Sequence, residues 1–217
     1  MLKALLWDND GVLVDTEPLF FRATQEALAD VGVSLSLSQF KEFSLRKGQS
    51  CFLLAEERGH GPESIEAIRA ARNLRYEDSL RAGVRVLDHI ESCLQSLHGR
   101  WPLAIVTSSD LEHFDMVHEQ TGLMRYFEFA LTNKEYERHK PHPEPYLTAA
   151  ARLGVEPAHC LVIEDSQRGL EAAHAAGMRC LAIPNALSAS SNFSLADAVL
   201  EHAGEIPAAI EDLLGST

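Results

Sequence analysis

The apolar residues of this chain fall into short segments with two different spacings. LKALLW (residues 2–7), PLAIV (102–106), FEFAL (127–131), CLVI (160–163), RCLAI (179–183) and AVL (198–200) are nearly continuous apolar runs. Runs of that length predict strands buried on both faces of a sheet. Between and after them the spacing lengthens to that of a helix, over residues 110–122, 143–154, 166–177 and 205–215. All four of these segments end in Gly and the second opens with Pro, residues that helices favour at those ends.

Strands alternating with helices of about a dozen residues imply right-handed crossovers, and so an α/β fold with a doubly wound, mostly parallel sheet. Ligands of such sheets sit beyond the carboxyl ends of the strands. One stretch breaks the rhythm. Residues 16–82 read as helices only: LFFRATQEALADVG, then LSQFKEF, then PESIEAIRAARNLRYEDSLRAG. The expected organisation is a core of residues 1–15 and 83–217 with an all-helical insertion at 16–82. A chain of 217 residues, 46% hydrophobic, can bury a core of that size and carry the insertion.

Charge narrows the ligand. A formal net charge of -13 with no basic stripe argues against nucleic acid and against an anionic membrane surface. An anionic small molecule would need a local remedy, either a metal ion or a well-placed Lys. No uninterrupted apolar stretch reaches about 18 residues, so a soluble cytoplasmic protein is expected. Cys51, Cys93, Cys160 and Cys180 lie far apart without a CxxC pair and are expected as buried, reduced thiols.

Four segments offer chemistry, each with a plainer reading. The first strand runs into Asp8, Asn9, Asp10 and Gly11, and alternation along an extended chain puts Asp8 and Asp10 on one side, roughly 7 Å apart. One carboxylate could attack while the other moves protons, although a solvated Asp-Gly turn looks the same in sequence. Glu164 and Asp165 stand at another strand tip, ahead of Ser166, and helix capping alone would also account for Asp165 and Ser166. Should the two tips converge, four carboxylates would repel one another, and a hard cation would resolve the conflict. Mg²⁺ suits best, since it takes few carboxylates, keeps waters and bridges to phosphate oxygens. Thr107, Ser108 and Ser109 follow a third strand, where the next helix either favours an anion or takes an ordinary hydroxyl cap. Lys140, stiffened by Pro141 and Pro143, would offset phosphoryl charge if it lay beside those acids; a lone Lys is otherwise a surface residue.

This ordered set is similar to the haloacid dehalogenase superfamily, with its Rossmann-like core, and most closely to its helical-cap phosphatase and β-phosphoglucomutase-like branch. The resemblance covers nearly the whole chain. It rests on DxDGxxxD (Asp8, Asn9, Asp10, Gly11, Asp15), Thr107, Lys140 with Pro141, and Glu164 with Asp165 in EDSxxGxxAAxxAGM at 164–178. It implies that Asp8 attacks phosphorus and that Asp10 protonates the leaving oxygen, then activates water. Mg²⁺ would be held by Asp8, the Asp10 carbonyl, Glu164 and Asp165. Thr107, the Ser108 amide, Lys140 and the amides around Asn9 and Gly11 would hold the phosphoryl oxygens. Residues 16–82 would be a mobile cap that excludes water and reads the substrate.

The branch follows from departures. Dehalogenases of the superfamily lack a carboxylate at the second Asp, so Asp10 opposes dehalogenation. The mutases use a His in the first cap helix, an Arg after the cap Gly and a Lys after the second motif; here stand Phe20, Cys51 and Asp110. Hydrolysis of a small phosphomonoester, a sugar phosphate or related metabolite, is therefore expected. Phosphoryl transfer within a hexose phosphate is the alternative, and a non-catalytic binding protein on the same fold is a third. Arg22, Arg46, Lys47 and Gln49 are the candidate cap contacts to substrate. Asp15 is expected at the hinge and Glu17 at the cavity edge, both outside the chemistry.

Overall fold

Every apolar run noted above becomes a strand in the computed structural model, which describes residues 1–215. The strands are β1 (Ala4–Trp7), β2 (Leu103–Val106), β3 (Phe129–Leu131), β4 (Cys160–Glu164), β5 (Arg179–Ala182) and β6 (Ala198–Val199). They pair in parallel in the order β3-β2-β1-β4-β5-β6. The helices are α1 (Glu17–Ala29), α2 (Leu37–Phe40), α3 (Leu53–Glu56), α4 (Pro62–Ala82), α5 (Ile90–Leu97), α6 (Leu111–Thr121), α7 (Glu144–Leu153), α8 (Gln167–Ala175) and α9 (Ile206–Gly215). A π-helical turn, Lys41–Arg46, continues α2. The fold is the α/β, doubly wound parallel sheet that the alternation implies.

Period-two alternation splits each central strand between two cores. Leu5, Trp7, Leu103, Ile105, Leu161 and Ile163 face large side chains from α5, α6 and α9, among them Ile90, Phe114 and Ile206. Ala4, Leu6, Ala104, Val106, Cys160 and Val162 face a layer rich in small residues from α7 and α8, among them Ala149, Ala150, Ala172 and Ala173. Bulk on one face and alanines on the other let helices cover both. Trp7, fully buried, meets Phe127 edge-on with ring centroids 6.4 Å apart.

Residues from 27 to 68 form a third apolar cluster of their own, centred on Leu28, Leu35, Phe40 and Phe52. The two segments that join these helices to the sheet run side by side. Val14 and Val86 form an antiparallel bridge, Leu87 N donates to Leu13 O (3.0 Å), and Arg85 pairs with Asp15 at 2.7 Å. Helix α5 lies outside the helical segments read from the sequence. Its apolar positions Ile90, Cys93, Leu94 and Leu97 keep helical spacing, but no side chain caps its start, where His89 sits at φ 65°. All four cysteines are buried and free. No helix among the described residues is long and apolar enough to cross a membrane.

Helix α8 packs against the end of β4 so closely that Gly169 admits no side chain: a Cβ there would lie 1.6 Å from Glu164 Oε1. We expect Gly169→Ala to cost roughly 1–3 kcal/mol of stability through overpacking. A lower urea midpoint with an unchanged m-value would show it; an unchanged midpoint would mean that the helix shifts freely.

Candidate active site

The order in which strands are added across the sheet reverses at β1, since β1 pairs with β2 on one side and β4 on the other. The loops leaving these three strands diverge from a common point, which is where doubly wound sheets make a crevice. Here that crevice is a cavity of about 260 Å³. Asp8 and Asp10 line it from β1, Ser108, Ser109 and Asp110 from β2, and Glu164, Asp165 and Ser166 from β4. Thr16, Glu17, Phe20 and Tyr76 close it from the helical segment.

Lys140 stands at the base, 4% exposed, and its three N–H bonds are all used. Nζ donates to Asp8 Oδ1 (2.6 Å), Glu164 Oε1 (2.8 Å) and the Val106 carbonyl (2.9 Å). Burial alone would lower the Lys140 pKa, but Asp8 and Glu164 outweigh it and hold the ammonium protonated. Glu164 is the better satisfied of its two partners. Oε1 also accepts from Tyr146 OH (2.8 Å), while Oε2 accepts from the Asp165 and Ser166 amides (3.1 and 3.0 Å) and Ser166 Oγ (2.9 Å). Burial works to raise the Glu164 pKa, yet Lys140 and these donors bring it below the usual range. Ser166 Oγ in turn accepts from Gly169 N (3.1 Å), the cap of α8 that its position suggests.

The other acids are undercompensated. Burial pushes Asp8 up to about 7, with Glu164 and Asp10 adding to the rise and Lys140 opposing it. Burial and Asp10 push Glu17 up to about 8. Burial, Glu17, Glu164 and Asp8 hold Asp165 well above the carboxylate range, although Asn185 Nδ2 donates to its Oδ2 at 2.7 Å. Asp8, Glu164 and Asp165 each place one oxygen within 4.8 Å of the others, a set that could hold a metal ion. Asp8 and Asp165 fit a hard divalent cation, which would relieve the repulsion that raises both; Glu164 joins with oxygens that already accept five hydrogen bonds.

Asp10 is held by hydroxyls. Ser109 Oγ (2.6 Å) and Thr107 Oγ1 (3.2 Å) donate to its Oδ2, and Thr16 Oγ1 donates to Oδ1. Thr16 precedes α1 but makes no side-chain cap, its hydroxyl being spent on Asp10. Gly11 adopts φ +85°, and a Cβ there would sit 2.6 Å from Asp165 Oδ2 and from Asn185 Nδ2, so only glycine fits. Its amide donates to Val14 O (2.8 Å). The Asn9 side chain turns into the interior, with Oδ1 2.8 Å from His118 Nε2. Among the described residues, the Asn9, Asp10 and Ser108 amides have no acceptor within the chain.

Asp8, Asp10, Ser108, Lys140, Glu164 and Asp165 thus meet at one cavity, and Thr107 reaches it through Asp10. The expected cap contacts scatter. Arg22 is exposed and lines neither this cavity nor the one beside it. Arg46 and Lys47 pair with Glu42 at 3.1 and 3.0 Å on the surface, and Gln49 lines the neighbouring cavity. Sequence reasoning passed over Arg72, Tyr76, His113, Arg168 and Asn185. Asn185 follows β5 and could have been found by the rule that strand tips carry function, whereas Arg72 and Tyr76 sit mid-helix with no local signal.

Residues 5–183 match the haloacid dehalogenase-like hydrolases. The chain belongs to that family. Hexitol phosphatase B of Escherichia coli is 31% identical over 99% of this chain and 97% of its own length. CbbY of Rhodobacter sphaeroides, solved with xylulose-(1,5)bisphosphate, is 26% identical with a TM-score of 0.81 and covers 94% of this chain and 96% of its own. β-Phosphoglucomutase of Clostridium difficile, 22% identical, shares the fold at a TM-score of 0.84 over 100% of this chain and 98% of its own.

Because Asp8, Glu17 and Asp165 have raised pKa values in the folded, metal-free state, that state binds more protons than the unfolded chain once pH exceeds about 4. Stability should therefore fall as pH rises from about 5 to 8 in EDTA. Added Mg²⁺ should raise Tm more at pH 8 than at pH 5, as read by differential scanning fluorimetry; equal increments would contradict the crowding.

Proposed function

We propose that this chain is a Mg²⁺-dependent phosphatase that hydrolyses a small sugar phosphate or related metabolite in the cytoplasm, through an aspartyl-phosphate on Asp8. It is an enzyme, a phosphoric monoester hydrolase. The observation that carries the mechanism is the setting of Asp8. One oxygen is fixed at 2.6 Å by Lys140, Asp10 lines the same cavity two residues on, and a tight glycine turn follows.

Lys140 orients Asp8 and lowers the charge that an approaching phosphoryl group would meet. Asp8 attacks phosphorus, forming a P–O bond as the ester P–O bond breaks. Asp10 gives its proton to the leaving alkoxide and then takes one from the water that cleaves the acyl-phosphate. The acceptor-free amides of Asn9, Asp10 and Ser108 are the donors that support a phosphoryl cradle, with Thr107 holding Asp10. Asp8 and Asp165 would hold Mg²⁺, with the Asp10 carbonyl and Glu164 completing the expected set; the ion, when bound, neutralises phosphoryl and carboxylate charge.

Residues 16–82 serve as the cap, entered and left through the paired segments at Val14 and Val86 and folded around their own apolar cluster. Phe20 and Asp110 line the catalytic cavity and Cys51 its neighbour, so the three positions that depart from the mutases all face the substrate side. That supports hydrolysis. Relatives named for hexitol phosphates and a neighbour solved with a pentulose bisphosphate support a phosphorylated sugar or sugar alcohol as substrate.

A phosphomonoester panel with Mg²⁺, scored for inorganic phosphate and for isomerised product, tests this reading. Phosphate release should disappear in EDTA and in Asp8→Asn, and Asp10→Asn should lower kcat by about 10²–10⁴-fold. Conversion of β-glucose 1-phosphate to glucose 6-phosphate with little free phosphate would overturn it.

A further inference from the structure

Asn9 stands between Asp8 and Asp10 but does not face the cavity that they line. Alternation along the chain turns its side chain to the opposite side, toward α6. There, 1% exposed, its Oδ1 meets Nε2 of His118 at 2.8 Å, and His118, in the last turn of α6, is itself 5% exposed. The Phe114 ring lies against the imidazole, with centroids 4.3 Å apart, and Nδ1 sits 3.1 Å from Thr121 Oγ1. Burial pushes the His118 pKa down to about 4 against the pull of Asp10, so the ring is neutral near pH 7. With Asn9 Oδ1 as acceptor, Nε2 carries the ring proton and Nδ1 accepts from the Thr121 hydroxyl.

This polar pair costs stability. Asn9 Nδ2 is buried without a hydrogen-bond partner among the described residues, an orphan that an apolar side chain would not create. What the pair supplies is a fixed direction. Past Asp8, whose amide still donates to Ile163 O (2.9 Å), the chain is held through Asn9. Its carbonyl accepts from the Val12, Leu13 and Val14 amides (3.3, 2.8 and 3.2 Å), and its side chain is tied to α6. Rotating that side chain would turn Asp8 and Asp10 with it, along with the acceptor-free amides of Asn9 and Asp10. Helix α6 steadies the front of the turn through Ser109, directly before it, which donates to Asp10 Oδ2 at 2.6 Å. His118 steadies the back.

We propose that His118 is a positioning residue, which acts through Asn9 to aim the nucleophile, the acid/base group and the phosphoryl-binding amides as one unit. Its hydrogen bonds go to Asn9 and Thr121, none to Asp8 or Asp10. The inference rests on the reading of Asp8 as the nucleophile.

Two amide substitutions separate the ring nitrogens. Gln places its amide where Nε2 stands and still donates to Asn9, whereas Asn reaches only as far as Nδ1. On the best ester of the phosphomonoester panel with Mg²⁺, His118→Gln should keep kcat within about threefold, while His118→Asn and His118→Leu should lower it about ten- to a hundredfold with KM changed far less, the scale of a small misplacement of reacting groups. Orthovanadate, a phosphoryl mimic that takes a further oxygen ligand, should bind about tenfold more weakly to the Asn and Leu variants than to the unsubstituted enzyme, by titration calorimetry with Mg²⁺. Asn9→Leu should lose as much as His118→Leu, and the two losses should not add. Equal behaviour of the Gln and Asn variants, whether both keep or both lose kcat and orthovanadate affinity, would overturn the proposal and leave His118 as a packing contact, as would additive losses. If the Leu variants fold poorly, the comparison of Gln with Asn decides alone. If the orthovanadate difference holds while the unsubstituted enzyme releases phosphate from no ester, the positioning pair stands and the phosphatase reading falls.

Discussion

A single buried ammonium holds the site together. Lys140 reaches across from the loop before α7 to join carboxylates on two neighbouring strands, Asp8 after β1 and Glu164 at the end of β4. Removing one member of such a buried set costs about 3–5 kcal/mol, because the remaining charges lose their compensation. Packing around it is correspondingly exact: Tyr146 caps Glu164, its ring lies 4.7 Å from Nζ, and Gly169 is bare to leave space for the same carboxylate. The small-residue layer under α7 and α8 brings those helices near enough for these contacts.

That arrangement satisfies Glu164 and leaves its neighbours short. With one ammonium shared, Asp8, Asp165 and Glu17 all stand above the normal carboxylate range. The crowding sits where a cation, when bound, would relieve Asp8 and Asp165, and Lys140 fixes one oxygen of Asp8. Further out the sign changes. Arg69, Arg72 and Arg168 line the adjoining cavity, and no carboxylate does.

Much of this was legible in the chain because it is local. The strands announce themselves as continuous apolar runs, and the acids and hydroxyls directly after β1, β2 and β4 follow from the rule that parallel sheets present ligands at strand tips. Lys140 was legible for a different reason, through its place in a motif with Pro141. What stayed hidden depends on assembly. No periodicity says that Arg72, mid-way along α4, and Arg168, in the first turn of α8, share a wall, and Arg46 or Lys47 look equally suitable until Glu42 is seen to pair with both. Helix α5 carries a correct apolar repeat but is short and uncapped, so its start is set by tertiary packing on α9 and β1's face.

The central claim is that Asp8 is the nucleophile, and it is tested most directly by trapping. Asp10→Asn removes the group that activates water, so with an aryl phosphate, whose leaving group needs little protonation, the phosphoryl enzyme should accumulate. Rapid acid quench and peptide mass spectrometry should find one added phosphoryl group on the peptide containing Asp8, absent when Asp8 is also replaced by Asn. Phosphate turnover by the unsubstituted enzyme without any phosphoryl group on Asp8, or with the label on another residue, would contradict the account.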